Sequence, residues 1–410
     1  MKTILFVTYG GGHVNMLIPV IRHLSTLADF NCLVMGLTTA ASQLGRCGIQ
    51  SVGFSSLLRD DDVRAISHGR RLFSSLPQDG AVDPQESIAY LGLSYADLEE
   101  RLGVEGAAVE YALKGRQAFL PLGPMRRACI KYAPDVIVTT ISPRAEQAAI
   151  LVASEMKIPS VCLIDLFARP SLKRASTQGY ATRVCVISDS VKNWLIRAGR
   201  RPDEVVVTGN PVFDELFARD IKSKAVLLRE KNKWQGKKVI LWASQIEPER
   251  NPFSGRIGDP SLPWSVEACL KDIIRSKDDW HLVIRYHPNQ GCVPTSEVDE
   301  KITISERNEP LAPLLQAVDL VVTLTSTVGL EARLLGKPLI TVDMSVYSDD
   351  TPYAKLGFSV GIDDLSELES AMSRLLDGCI GPNSLSELPR IGMATDSVVQ
   401  QILKLSNEGA

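Results

Sequence analysis

Several short stretches carry residue types that could act on a substrate, and each follows an apolar run. In "YGGGHVN", Gly11 and Gly12 precede His13. Glycines let the backbone approach a ligand, and a helix start offers unbonded N–H groups and partial positive charge. An imidazole there can take a proton from an attacking hydroxyl, or it can simply hold an acceptor. In "RYHPNQG", Arg285 and His287 lie two residues apart and share one side of an extended chain, and Pro288 fixes the turn that aims the imidazole. In "STVGLEARLLGKP", Ser326 and Thr327 stand at a helix start, where hydroxyls and N–H groups suit a phosphate. Gly329 allows close approach, and the Glu331 carboxylate can accept from two adjacent ribose hydroxyls. Ser244 ends "KKVILWAS" as a small polar group, and Asp165 in "CLIDLFARP" adds a carboxylate.

Each residue also has a plainer reading: a tight turn, a surface His before Pro, or an ordinary helix N-cap with a first-turn acid. Those readings do not account for His287, Ser326, Thr327 and Glu331 falling in one half of the chain. Together they describe a seat for a nucleotide mono- or diphosphate, with His and hydroxyls on phosphate and Glu on ribose. The G-x-G-x-x-G dinucleotide fingerprint is absent.

The elements that must position these residues alternate. "TILFVTY", "FNCLVMGL", "PDVIVTTI", "PSVCLIDLF", "RVCVIS" and "EVVVTGNP" read as strands, with helices such as "HVNMLIPVIRHLSTLA" and "RAEQAAILVASEMK" between them. The second half repeats the theme with "KKVILWAS", "HLVIRYH", "KITIS", "DLVVTLT" and "PLITVD". Repeated βα units predict parallel sheets, whose ligands bind beyond the carboxyl ends of the strands. The expected class is α/β, with two doubly wound Rossmann-like domains facing across a cleft. The expected divisions are 1–210 with a polar helical insertion at about 57–132, a linker at 211–235, a second domain at 236–392, and a helix at 393–410 packing back toward the joint.

Composition sets the limits. A chain of 410 residues exceeds one ordinary core, so two domains are expected. A net charge of −3 gives no basic excess for nucleic acid or an anionic membrane. Eight scattered cysteines lack zinc-ribbon or redox spacing and suit a reducing compartment. No apolar run reaches the ~18 residues of a membrane span, and the N-terminus lacks a secretory pattern. A cytoplasmic protein without a transmembrane segment is expected, with peripheral membrane contact left open.

The motifs resemble those of the GT-B glycosyltransferases and the hydrolysing UDP-N-acetylglucosamine 2-epimerases. "YGGGHVN" resembles the Gly-rich acceptor loop of GT-B enzymes, and "VVTGNPVFDEL" looks like the epimerase hinge. "RYHP" is similar to the His-Pro motif of epimerases, bacterial sialyltransferases and Kdo transferases. "STVGLEARLLGKPLITVD" looks like the nucleotide-binding segment of capsule-type transferases. The resemblance implies donor contacts at Ser244, Arg285, His287, Ser326, Thr327, Gly329 and Glu331, and an acceptor loop at Gly11 and Gly12. His13, from its place at the helix start, is the candidate base or an acceptor contact. The donor would be a UDP- or CMP-activated sugar, the acceptor a glycan, lipid-linked or small molecule, with no separate cofactor and no metal.

Two departures bear on the reaction. Epimerases carry a Gly-Asp pair where this chain has Thr139 and Thr140, so one catalytic carboxylate is missing. Where they carry His-x-Glu-Ala-Gly, Asp165 either stands in for the Glu or anchors a loop. Both losses favour transfer over epimerisation, and the expected activity is metal-independent, inverting glycosyl transfer in polysaccharide or glycoconjugate synthesis. A non-catalytic nucleotide-sugar binder is the other alternative. The acidic run "RDDDV", Arg59–Val63, reads as a solvated face.

Overall fold

Short apolar runs become the central strands of two sheets. The computed structural model describes residues 1–76, 80, 82–167, 171–252, 254–287, 290, 299–378 and 392–408. Pro288, Gly291, Cys292 and Cys379, singled out in the sequence, lie outside the described residues. The chain forms two units, Met1–Val212 with Met393–Ala410, and Phe213–Gly392.

The first unit opens with β1 (Lys2–Thr8), α1 (Gly12–Ser25), β2 (Phe30–Gly36) and α2 (Ala40–Arg46). Then come α3 (Val63–Phe73), α4 (Pro84–Lys114) and α5 (Leu122–Tyr132), the inserted helices. Next are β3 (Val136–Thr140), α6 (Ala145–Glu155), β4 (Ser160–Leu163), α7 (Leu172–Ser176), β5 (Arg183–Val186), α8 (Asp189–Arg197) and β6 (Val205–Val207). The strands form a parallel sheet in the order β2-β1-β3-β4-β5-β6. Ile4 to Val7 on β1 are buried because both faces of the sheet are covered.

Sequence patterning marks the insertion as polar, yet its inner side is a core. Tyr90, Leu91, Leu93, Tyr95 and Leu98 pack with Leu5, Val7 and Met35 of the sheet. Asp83 caps α4 by accepting from Gln85 N–H at 2.7 Å, and Pro84 follows at the first helical position. The acidic run is not wholly solvated: Asp62 accepts from Arg127 Nη1 at 2.6 Å and from Arg59 N–H at 2.9 Å. Pairing with α5 draws that carboxylate inward.

The second unit comprises α9 (Ile221–Lys231), β7 (Lys238–Ala243), α10 (Leu262–Arg275), β8 (Trp280–Arg285), β9 (Ile302–Ile304), α11 (Leu311–Ala317) and β10 (Leu320–Thr323). It ends with α12 (Thr327–Leu334), β11 (Leu339–Val342), β12 (Val360–Ile362) and α13 (Leu368–Leu376). Its parallel sheet runs β12-β11-β10-β7-β8-β9. Much of the expected linker is structured within this unit. Residues Pro211–Phe217 form a 3-10 helix, and Arg229 of α9 donates to the Ala317 carbonyl at the end of α11 at 2.5 Å.

The last helix, α14 (Ala394–Glu408), belongs to the first unit. Val398, Val399, Ile402 and Leu405 join a core with Val14, Leu17 and Ile21 of α1 and Val138 of β3. Lys2 Nζ donates to the Ser406 carbonyl, and His23 lies 3.1 Å from Asp396. The expected packing toward the joint is thus packing on the first sheet. Both units are Rossmann-like α/β domains. No helix among the described residues is long and apolar enough to cross a membrane.

Candidate active site

In each sheet the first strand has later strands on both sides, so the connections diverge beside it. That switch point leaves a crevice at the strands' carboxyl ends, where ligands bind in such folds. In the first unit it falls between β1 and β3, and in the second between β7 and β10. His13 follows β1 and Thr140 ends β3; Ser244 follows β7 and Ser326 follows β10.

Gly11 holds φ 71, a left-handed conformation that glycine adopts without a Cβ penalty. Its N–H is already bonded to Gln43 Oε1 at 2.7 Å. Gly12 then begins α1 and places His13 in the first turn. The imidazole Nδ1 lies 2.7 Å from Thr140 Oγ1, and Thr140 donates to Glu146 Oε2 at 2.5 Å. A hydroxyl has one proton. With that proton on Glu146, Thr140 must accept from Nδ1–H, which leaves the Nε2 lone pair available as a base. Nε2 faces Ser142 Oγ at 3.3 Å.

Glu146 is fully buried in the first turn of α6. Its oxygens also accept from Tyr9 N–H at 2.8 Å and Ser142 N–H at 3.2 Å. Burial raises its pKa, against the pull of the His13 imidazole and these three donors. So the carboxylate missing from the end of β3 is supplied by the following helix and reaches the imidazole through Thr140. Sequence reasoning passed over Glu146. The signal available was an acid on the alanine-rich inner side of "AEQAAILVA", where an unpaired charge would be costly.

A cavity of about 660 Å³ opens beside His13, wholly within the first unit. Tyr9, Tyr90, Phe73 and Leu91 form apolar wall; Ser142, Arg116 and Arg144 add polar groups. Asp165 lies two residues past β4, and its carbonyl accepts from Asn210 Nδ2 at 3.2 Å. Among the described residues, the acid that joins His13 is Glu146 and not Asp165.

In the second unit, Ser326 is the N-cap of α12 and accepts from Val328 N–H at 3.3 Å. Thr327 is exposed beside it and its hydroxyl bonds Glu331. Glu331 is half-buried, and desolvation pushes its pKa up to about 7; Arg285 and the Thr327 bond oppose this, while Glu215 adds to it. Arg285 donates to Ser305 Oγ at 2.9 Å and has Glu309 and Glu331 as its charged neighbours. Its guanidinium therefore balances half-buried acids and is not simply turned to the strand mouth beside His287. His287 is exposed, and partial desolvation lowers its pKa.

Gly329 has a different role from the one its motif suggests. A Cβ there would lie 3.1 Å from the Thr323 methyl and 3.2 Å from Leu339. The close approach it permits is of α12 to its own sheet.

Polar cross-links missed by sequence reasoning hold these strand mouths together. Gln290 Oε1 accepts from Ser244 Oγ at 3.4 Å and His287 N–H at 3.3 Å. Gln245 Oε1 accepts from Thr325 N–H at 2.9 Å, and Tyr353 donates to the Ser326 carbonyl at 3.0 Å. The structure thus places Ser244, His287, Ser326, Thr327 and Glu331 at the carboxyl-end side of the second sheet, and His13 with the acceptor-loop glycines at the first unit's switch point.

Residues 224–350 match the family model described as capsule polysaccharide biosynthesis protein. No curated protein shows a significant sequence match. The fold is shared with UDP-GlcNAc 2-epimerase from Neisseria meningitidis bound to UDP-GlcNAc, at 14% identity, TM-score 0.59, and coverage of 98% of this chain and 100% of that one. The UDP-GlcNAc 2-epimerase of Methanocaldococcus jannaschii, in complex with UDP-GlcNAc and UDP, gives 16% identity and TM-score 0.58 over 98% and 100%. A glycosyltransferase of kitacinnamycin gives 15% and 0.57 over 98% and 99%. The chain therefore has the fold common to GT-B glycosyltransferases and 2-epimerases, and the segment similar to the capsule polysaccharide biosynthesis family lies within its second unit.

Proposed function

We propose that the protein is a metal-independent, inverting GT-B glycosyltransferase that moves a sugar from a UDP- or CMP-activated donor to an acceptor hydroxyl, in polysaccharide or glycoconjugate synthesis. The observation that carries this reading is the His13–Thr140–Glu146 relay. It fixes the tautomer, leaves Nε2 as the base and provides a buried counter-charge for the imidazolium. The acceptor proton passes to Nε2 as its oxygen attacks the anomeric carbon. The bond from that carbon to the donor phosphate breaks, and the electron pair leaves with the phosphate. The start of α12, His287 and the Ser326 hydroxyl meet the developing charge, while Thr327, whose proton is on Glu331, orients that carboxylate to accept from the ribose. The donor-bound relatives support the nucleotide assignment by analogy of fold.

Epimerisation needs an acid that can reach the sugar. Glu146 is occupied by three protein donors and fully buried, so it orients the base and does not touch substrate.

The test is a melting panel of UDP, CMP, GDP, TDP and their sugar conjugates, followed by product analysis with the responding donor. A ligand at 100 times its Kd adds about 2.7 kcal/mol of stability. A new glycoside is expected, with His13→Ala lowering turnover about 10²–10⁴-fold at unchanged donor affinity. Free sugar carrying solvent deuterium at C2 would establish the epimerase instead. Binding without turnover on any acceptor would leave a nucleotide-sugar binder.

A further inference from the structure

We propose that the cavity beside His13 takes an acceptor bearing a negative charge, carboxylate or phosphate, near the hydroxyl that reacts. This rests on the glycosyl-transfer reading above and names its acceptor class.

Among the described residues the cavity wall carries Arg116 and Arg144 beside His13, and one acid, Glu86. Glu86 is turned onto the chain: it accepts from Phe54 N–H and, at 3.0 Å, from Ser55 N–H. No ion pair joins Arg116 or Arg144 to a carboxylate among the described residues. The first turn of α1, on the same wall, has no acid either. Among the described residues, then, two guanidiniums line the cavity without a carboxylate partner, which favours an anionic occupant.

The backbone at Arg144 points the same way. It holds φ 67 and ψ −113, a conformation that non-glycine residues rarely adopt and that persists only where the surroundings hold it. This lays the guanidinium over the Tyr9 ring, 5.0 Å from its centroid, on the cavity wall. Arg144 follows Ser142 by two residues and precedes Glu146 by two, so one loop carries both the guanidinium and the groups that orient His13. A planar guanidinium with unoccupied donors matches the paired oxygens of a carboxylate or phosphate. Tyr90, Phe73 and Leu37 supply the apolar wall for the rest of the ligand. At about 660 Å³ the space falls in the ~300–1,000 Å³ range of small-molecule sites.

The experiment is calorimetry on the full chain with glucuronate against glucose, and glycerol 3-phosphate against glycerol. At least one anionic probe should bind tenfold or more tightly than its neutral partner. Arg144→Gln should remove that preference and Arg144→Lys restore part of it, with the nucleotide melting response intact. Preference for glucuronate alone identifies a carboxylate acceptor; preference for glycerol 3-phosphate alone identifies a phosphate. Equal binding within both pairs, no binding by either anion at millimolar concentration, or an unaffected R144Q variant overturns the proposal. If R144Q does not fold, Arg116→Gln gives the same reading, with a loss of at least threefold expected. Charge-selective binding without glycoside formation would refute transfer and leave the anion site standing. Glycoside formation on neutral acceptors that R144Q leaves intact would do the reverse.

Discussion

Each unit presents a carboxylate at its switch point, and the two are treated differently. Glu146 in the first unit is fully buried, with its oxygens taken by Tyr9, Thr140 and Ser142. Glu331 in the second is half-buried, with Thr327 as its hydrogen-bond partner and Arg285 and Glu215 as charged neighbours. A carboxylate whose acceptor sites are filled by the protein can act only through its neighbours. One with acceptor sites left over is prepared for a ligand. On the proposed reading, the carboxylate of the first unit serves a proton transfer and that of the second serves ligand binding.

The comparison can be broken most sharply at Glu146. Glu146→Gln removes the counter-charge behind the imidazolium and sets an amide donor either against Tyr9 N–H or against Thr140 and Ser142 N–H, so the relay that fixes the imidazole is disturbed. Turnover should fall about 10²–10³-fold, by the logic of a mis-set base, with nucleotide affinity unchanged. Long-range proton–nitrogen NMR of His13 reads the tautomer directly, and a variant with native tautomer and native turnover would remove Glu146 from the relay.

A smaller effect belongs to the second unit. His287→Ala should weaken nucleotide binding about tenfold, the scale of one lost hydrogen bond to a charged group, at about 1.5 kcal/mol. Titration calorimetry checks it, and unchanged affinity would refute the phosphate assignment.

The smallest effect sharpens the contrast through pH. Glu331 holds its proton up to about pH 7, above its ordinary value. Its raised folded pKa contributes stability that is fully present below about pH 4.5 and lost as pH rises through about 7. Ribose hydroxyls need the ionised form, so nucleotide affinity should rise severalfold between pH 6 and 8. Partial desolvation lowers the His287 pKa, and the Glu331→Gln variant separates any slope it contributes from that of Glu331. A flat affinity profile in wild type, or an equally sloped one in Glu331→Gln, would take Glu331 out of the site.

Much of the scaffold was legible because parallel strands buried on both faces read as unbroken apolar runs, "ILFV" and "LVVT" among them. The strand β12 was not, since three residues of "VGI" carry too little pattern. At the site, residues that announce themselves by local chemistry, His13 and Ser326, could be picked out. Glu146 is masked, because a first-turn acid is also how an ordinary helix begins, and only its place on the apolar side of "AEQAAILVA" sets it apart. Gln245 and Gln290 escaped notice because their partners, Thr325 and Ser244, lie far along the chain. Gly329 was misread because sequence shows that a close approach is allowed without showing what approaches.

The return of α14 to the first unit has a consequence for how the protein is made. On the ribosome, residues 1–212 emerge long before Val398, Val399, Ile402 and Leu405, which cover α1 and β3. The first unit stays unfinished, with an apolar face open, while the whole second unit is synthesised as a continuous insert. That interval is when aggregation is most favoured. Lys2 and Ser406 are neighbours in the finished unit, so a permuted gene encoding α14 ahead of β1 would close that interval.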